Sequence, residues 1–215
     1  MFANVNRAVL IALGVLLALL ALLILGIDQL LVLPFDLGVA FELHEDANPA
    51  FAALMADVSV LGMLPVAVGL TVIAAAGILF MRRRLEAAFT LATCSNFFVS
   101  SFLKLITARE RPMFDLQNGA GFIQTFDSYS FPSGHVVFFM SLFGLLAYLA
   151  WRHLRGLPRW SAIGICALLI VLVGPSRVYL GVHWATDVVG GYLVGAIWLL
   201  ILVYGYETAK RRPRR

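Results

Sequence analysis

Residues 8–26 read AVLIALGVLLALLALLILG and contain no charged side chain. About 20 apolar residues is the length that an α-helix needs to cross the hydrocarbon layer of a membrane. The run exceeds the roughly 7–15 residues of a signal-peptide core, and no A-x-A-like cleavage site follows it. We therefore expect it to be retained as a transmembrane helix, and it decides the class of fold.

The rest of the chain has the same character. Of 215 residues, 61% are hydrophobic and 13% are charged, and the mean hydropathy is +0.92. A soluble domain carries about 25% charged residues, so this composition excludes one. Five further apolar segments are predicted at residues 58–81, 85–107, 133–151, 161–173 and 184–206. The prediction is an all-α integral membrane bundle of six transmembrane helices, forming a single domain over residues 1–215.

Two of these segments carry finer expectations. Pro65 is expected to bend the second segment. The fifth segment is too short to cross the membrane with ease, and Gly174, Pro175 and Ser176 after it indicate a turn. Arg177 is then expected on that turn, at the membrane surface or slightly within it.

The basic residues predict an orientation. If the N-terminus is cytoplasmic, 12 of the 16 lysines and arginines lie inside, as the positive-inside rule expects. The loop at residues 27–57 has no basic residue and six acidic ones. Both termini are therefore predicted to be cytoplasmic. The net charge of +4 mostly reflects this placement of basic residues on the cytoplasmic side. The sequence shows no basic surface with elements that could contact nucleic-acid bases, so a nucleic-acid partner is not expected.

The four remaining basic residues lie at the outer ends of segments, against this rule. Lys104 and Arg111 are seven residues apart, so they could share a face if the third helix continues that far. One lysine at such a place can simply snorkel to the surface. Four cations on one side favour instead a site for an anionic headgroup; they are Lys104, Arg109, Arg111 and Arg177.

The fourth segment is preceded by SFPSGH at residues 130–135. Free N–H groups at a helix N-terminus bind anions, and Gly134 would let a ligand approach the backbone. The Ser133 hydroxyl could donate as well, and His135 is a possible proton donor at the rim. A Pro-Ser-Gly sequence is also an ordinary way to begin a helix.

Between the last two segments, residues 174–187 read GPSRVYLGVHWATD. His183 and Asp187 are four residues apart, which on a helix places the carboxylate one turn from the imidazole. Such a carboxylate holds the ring and favours one tautomer, which leaves the other nitrogen free. Arg177 carries a guanidinium suited to phosphate oxygens. The alternative is an interfacial loop with a snorkelling arginine and a structural histidine.

Three stretches together carry a resemblance: KLITARERP at 104–112, PSGH at 132–135, and SRVYLGVHWATD at 176–187. They resemble, in order and spacing, the signature motifs of the type 2 phosphatidic acid phosphatase family. The resemblance implies a phosphatase acting through a phosphohistidine without a metal or other cofactor. It implies His183 as nucleophile, Asp187 as its orienting partner and His135 as general acid. It also implies a phosphate site formed by Lys104, Arg111, Ser133, Gly134 and Arg177.

Other features extend or qualify this reading. Charges outside the motif positions are interpreted as solvated loop charges, namely Arg109, Glu110, Asp115 and Asp127. Cys94 and Cys166 lie in apolar segments and suggest neither a disulfide framework nor a metal site. No obligate protein partner is evident from the sequence, and membrane lipids are the expected surroundings.

An outward-facing site in a chain without a soluble domain favours a lipid phosphate substrate, as in phosphatidate, phosphatidylglycerophosphate and undecaprenyl-diphosphate phosphatases. By analogy with such proteins, we expect the bacterial inner membrane, with the site on the extracytoplasmic side. Three alternatives remain: a lipid phosphotransferase with the same residues, a transporter or lipid scramblase, and a vanadate-dependent oxidase. The last is disfavoured because those enzymes are soluble.

Overall fold

The structure is a computed structural model, and it describes residues 2–45, 48–112 and 129–211. Within these ranges the chain is helical and contains no strand, which confirms the all-α fold class. The helices are α1 (Phe2–Asp28), α2 (Leu33–Glu45), α3 (Pro49–Val60), α4 (Leu64–Phe80), α5 (Arg84–Ala92), α6 (Asn96–Thr107), α7 (Gly134–His153), α8 (Gly156–Tyr179) and α9 (Ala185–Arg211). A 3-10 turn, Thr93–Ser95, joins α5 to α6.

The described residues form five segments long and apolar enough to cross a membrane, or six if α3 and α4 count as one bent span. The five are Arg7–Asp28, Arg84–Thr107, Gly134–His153, Gly156–Tyr179 and Ala185–Arg211. Large apolar side chains cover the outside of the bundle, among them Phe80 at 91% and Phe98 at 81% exposure. In water such a surface would be unfavourable, whereas lipid tails solvate it. The chain is therefore an integral membrane protein, while the orientation of its termini stays a prediction.

The second predicted segment is bent, but the bend precedes the proline. Helices α3 and α4 meet at 65° across residues 61–63, and Pro65 lies in the first turn of α4. Proline is tolerated there because the first N–H groups of a helix have no intrahelical acceptor. The span also begins earlier than predicted: Pro49 occupies the first turn of α3, and the Asn48 side chain caps that helix by accepting from the Ala50 N–H at 2.9 Å.

The prediction of a short fifth segment followed by a turn is wrong. Helix α8 has 24 residues and continues through Pro175 to Tyr179. An interior proline costs about 3 kcal/mol in an isolated helix, but here tertiary packing holds the last turns in place. Gly174 lies against Tyr192 and Val188 of α9, with space for no side chain of its own. The hydroxyl of Tyr192 also donates to the carbonyl of Ile170 at 2.6 Å.

Helix α7 lies at the centre of the bundle and packs most extensively against α8 and α9. Its first turns carry fully buried apolar side chains, including Val136, Phe138 and Phe139. Helix α9 approaches α7 closely because Gly191 faces Val136 and the Ser133 carbonyl, at positions where a Cβ would lie within 3.0 Å of both. This packing fixes the N-terminus of α7 against the N-terminus of α9.

Candidate active site

The three motif stretches meet at one end of the bundle. The ends of α6 and α8 and the beginnings of α7 and α9 converge there, joined by a hydrogen bond from the Ser133 N–H to the Asp187 carbonyl at 3.1 Å. The eight predicted site residues come from all four of these elements and the loops beside them. They are Lys104, Arg111, Ser133, Gly134, His135, Arg177, His183 and Asp187. Folding thus assembles residues that lie up to 83 positions apart in the chain.

His183 and Asp187 are paired, though not along one helix as expected. His183 precedes α9, which begins at Ala185, and Asp187 lies in the first turn of that helix. The Asp187 carboxylate accepts from the Trp184 N–H at 2.9 Å, so it caps its own helix. The same oxygen, Oδ2, lies 3.4 Å from Nδ1 of His183. The imidazole therefore turns Nε2 away from Asp187, as the orienting role requires.

Three cations lie around His183, and we call Lys104, Arg111 and Arg177 the cationic cradle; Lys104 and Arg177 are buried and Arg111 is half-buried. A guanidinium nitrogen of Arg111 lies 3.5 Å from Nε2 of His183 and donates to the Val182 carbonyl at 2.6 Å. Lys104 donates to the Tyr129 carbonyl at 2.8 Å, and Arg111 approaches the same oxygen at 3.4 Å. Among the described residues, backbone carbonyls therefore hold Lys104 and Arg111 in place.

The expectation that Lys104 and Arg111 share a helix face is wrong. Helix α6 ends at Thr107, and Ala108 adopts a left-handed conformation that turns the chain. The two cations converge instead through the Tyr129 carbonyl. Arg177 reaches the site from the last turn of α8 and donates to the Ser59 hydroxyl of α3, while its own carbonyl accepts the His183 N–H at 3.2 Å.

The N-terminus of α7 supplies further donors. Ser133 precedes the helix and is fully buried, and its hydroxyl has no hydrogen-bond partner among the described residues. The N–H groups of residues 134–136 are those that a helix start leaves without an intrahelical acceptor. Nε2 of His135 and Nε of Arg177 are likewise buried, and no described residue hydrogen-bonds to either atom. A buried donor without an acceptor costs about 1–3 kcal/mol, so these groups fit an anion that would accept from them.

The electrostatics of the site favour a neutral His183. Burial lowers the pKa of His183 well below its usual range, and the positive charges of Arg177 and the rest of the cationic cradle lower it further. A neutral imidazole at physiological pH has a lone pair on one ring nitrogen. With Nδ1 facing Asp187, the nitrogen free for chemistry is Nε2.

The bend between α3 and α4 supports two site residues. Ser59, next to the bend, receives the hydrogen bond from Arg177. At Gly62, within the bend, a Cβ would lie 2.2 Å from Cδ2 of His135. The imidazole of His135 thus rests on a backbone without a side chain. Neither Ser59 nor Gly62 was expected from the sequence, where they are an ordinary serine and glycine in an apolar segment.

Arg109 is not a solvated loop charge, and that interpretation is wrong. Its guanidinium donates to Asp187 at 2.6 Å and to Asp36 at 2.6 Å, and its side chain is 11% exposed. Asp36, on α2, is fully buried. Glu110 is exposed, as interpreted, while Asp115 and Asp127 lie outside the described residues. The only signal for Arg109 in the sequence was its position among the four cations against the positive-inside rule.

Comparison with known proteins identifies the family of this chain. The family model of the PAP2 superfamily matches residues 85–211. The chain is 33% identical over 171 residues to phosphatidylglycerophosphatase B of Bacillus subtilis (strain 168), covering 78% of this chain and 81% of that protein. It is 38% identical over 80 residues to an undecaprenyl-diphosphatase of Sulfolobus acidocaldarius, covering 37% of this chain and 34% of that protein.

A solved structure has a similar fold. The crystal structure of a transmembrane PAP2 type phosphatidylglycerolphosphate phosphatase from Bacillus subtilis superposes with a TM-score of 0.79 at 28% identity, covering 94% of this chain and 98% of that chain. The similarity therefore extends beyond the motif region to α1–α4, where the sequence carries no comparable signature.

Proposed function

Because this chain belongs to the PAP2 superfamily of membrane phosphatases, we propose that it hydrolyses a lipid phosphate through a phosphohistidine formed on His183. The observation that carries this proposal is the position of Nε2 of His183. It faces Arg111 at 3.5 Å, while Nδ1 of the same ring faces Asp187 at 3.4 Å. The ring is therefore oriented on one side by a carboxylate and faces, on the other, a cation that would attract a phosphoryl group.

The proposed reaction has two displacements at phosphorus. In the first, Nε2 of His183 forms a bond to phosphorus as the bond to the lipid oxygen breaks, and His135 gives that oxygen a proton. In the second, water attacks phosphorus as the bond from phosphorus to Nε2 breaks, and His135 takes a proton from that water; inorganic phosphate leaves and both histidines are restored. Asp187 orients the ring and stabilises the positive charge that develops on it.

The phosphoryl oxygens are held throughout by the cationic cradle, the Ser133 hydroxyl and the α7 N-terminus at Gly134. Phosphoryl transfer spreads negative charge over these oxygens, so fixed positive groups lower the barrier. Three cations supply the positive charge that metal ions provide in many phosphoryl-transfer sites. We therefore propose that the reaction needs no metal ion.

The substrate class we propose is a lipid monophosphate or diphosphate. The relatives named as phosphatidylglycerophosphatase B and undecaprenyl-diphosphatase act on lipids of these two kinds. The site lies at the ends of membrane-spanning helices rather than at their centres, which suits a phosphate at the membrane surface. A transporter or scramblase would instead place charges across the bilayer midplane.

The test is phosphate release by purified protein in detergent from phosphatidate, phosphatidylglycerophosphate and undecaprenyl diphosphate, with and without a chelator. We expect release from at least one lipid, unchanged by the chelator and abolished in His183→Ala. A second lipid bearing a free hydroxyl group serves as acceptor in a parallel reaction. Phosphate found on that lipid rather than in water would identify a phosphotransferase, and activity that magnesium restores after chelation would contradict the metal-free reaction.

We propose further that the site faces the extracytoplasmic side of a bacterial inner membrane, as the distribution of basic residues predicts. In a background lacking Cys94 and Cys166, Glu42→Cys on α2 should react with an impermeant thiol reagent added outside intact cells. Arg155→Cys, between α7 and α8, should react only after the cells are broken. The reverse pattern would place the site in the cytoplasm.

A further inference from the structure

The shortest contact of the Asp187 carboxylate is with Arg109, not with His183. Oδ1 of Asp187 accepts from one guanidinium nitrogen of Arg109 at 2.6 Å. Its other oxygen, Oδ2, faces His183 and caps α9 through the Trp184 N–H. Each oxygen therefore has a separate set of partners, and Arg109 fixes the plane of the carboxylate that orients the imidazole.

A second carboxylate holds Arg109 in turn. Oδ2 of Asp36 accepts from the other guanidinium nitrogen of Arg109 at 2.6 Å. Asp36 is also tied to α9, because its oxygens accept from the Thr186 N–H at 2.8 Å and from the Thr186 hydroxyl at 2.7 Å. That hydroxyl accepts from Arg109 at 2.8 Å. The group joins α2, the chain just after α6 and the start of α9.

The charges of this group determine how strongly Asp187 can stabilise positive charge on His183. A guanidinium paired with one buried carboxylate would neutralise it and weaken its hold on an imidazole that becomes positive during the reaction. Here one guanidinium is shared by two fully buried carboxylates, so the three groups carry one net negative charge when both carboxylates are ionised. The negative charge of Asp36 therefore offsets part of the positive charge of Arg109, so Arg109 neutralises Asp187 less completely.

We propose that Asp36 and Arg109 are a pair of positioning residues that orient Asp187 and preserve its negative charge for His183. In the part of the chain that the structure describes, the side-chain partners of Arg109 are Asp36, Thr186 and Asp187 rather than the cationic cradle, so we do not expect the pair to contact the phosphoryl group. Its role is to make His183 a better nucleophile, and the inference rests on the proposed function of His183. It adds α2 to the catalytic apparatus, although α2 lies outside the three motif stretches.

The first test measures kcat and KM for Asp36→Asn and Arg109→Lys on the lipid that the wild-type protein hydrolyses best. Lysine keeps the charge but cannot hold two carboxylates in one plane. Where a residue orients a metal-ligating histidine through a hydrogen bond, its loss typically lowers activity by about 10- to 100-fold, and we take the same range for residues that orient Asp187. We expect that fall in kcat with KM changed by less than about threefold, since the phosphate contacts remain. Glu42→Gln, an exposed carboxylate on the same helix, should keep the wild-type kcat.

The second test asks whether Asp36 acts through Arg109. In an Arg109→Gln background, Asp36→Asn should change kcat by no more than about twofold, because its target is already gone. Full additivity of the two effects, or wild-type kcat in Arg109→Lys, would overturn the inference. Thermal unfolding in detergent separates these results from misfolding, and Arg109→Lys decides the matter if Asp36→Asn does not fold. If His183→Ala keeps its activity, the proposed function has failed instead.

Discussion

The contact between Gly62 and His135 makes the proposed general acid testable without altering it. In Gly62→Ala, the new Cβ would lie 2.2 Å from Cδ2 and 2.7 Å from Cγ of His135. Ordinary contacts of a Cβ begin near 3.4 Å, so the imidazole or the bend between α3 and α4 must retreat by about 1 Å. Gly62 does not adopt a left-handed conformation, so backbone strain does not contribute.

A displacement of about 1 Å in a positioned catalytic group can lower the rate by about 10²-fold. We expect a fall of that order in kcat for phosphatidate, whose lipid alkoxide is a poor leaving group that needs the proton. Nitrophenyl phosphate, with a good leaving group, should lose much less. The assay is steady-state hydrolysis of both substrates by the same detergent-purified protein.

Gly69→Ala is the matched control. It makes the same substitution in the adjoining helix α4, where a Cβ would meet no atom within 4 Å. It should keep wild-type rates and be slightly more stable, since alanine favours a helix over glycine by roughly 0.5–1 kcal/mol. If Gly62→Ala hydrolyses phosphatidate as well as Gly69→Ala does, His135 is not held in its working position by this contact.

Two further predictions concern the histidines. His135→Ala should slow phosphatidate hydrolysis far more than nitrophenyl phosphate hydrolysis when phosphoenzyme formation limits the rate, and equal losses would leave His135 as only a phosphate ligand. Because burial and neighbouring cations lower the pKa of His183 below the ordinary value of 6.5, loss of kcat/KM through its protonation should begin only well below that pH. Arg111→Gln removes one of those cations and should move this acid limb upward; a downward shift would contradict the assignment.

The sequence allowed the membrane-spanning helices and the convergence of the motif residues to be predicted, because both depend on local patterns. Long uncharged runs predict helices, and charges at the ends of those helices must lie near one surface. The end of α8 could not be predicted in this way. Local chemistry favours a turn at Pro175, whereas the helix continues where Gly174 packs against Tyr192, 18 residues later, a contact that no local pattern predicts.

The partners of Asp187 show the same limit more sharply. Its pairing with His183 follows from a spacing of four residues, but its pairing with Arg109 joins positions 78 apart. Asp36 lies a further 73 positions before Arg109, on α2, in a stretch that the sequence predicts as an outer loop with acidic residues explained by topology alone. A buried ion pair between such distant positions leaves no periodicity or motif by which a single sequence could predict it.

The central claim is that the phosphoryl group passes through His183, and a single-turnover quench experiment tests it most directly. Purified protein is mixed with lipid substrate carrying a labelled phosphoryl group, quenched in base within the first turnover and digested. We predict a base-stable, acid-labile label on the peptide that contains His183, formed as the dephosphorylated lipid is released and absent in His183→Ala. Release of that lipid with no label on His183 at any quench time, or a label on another residue, would contradict the account.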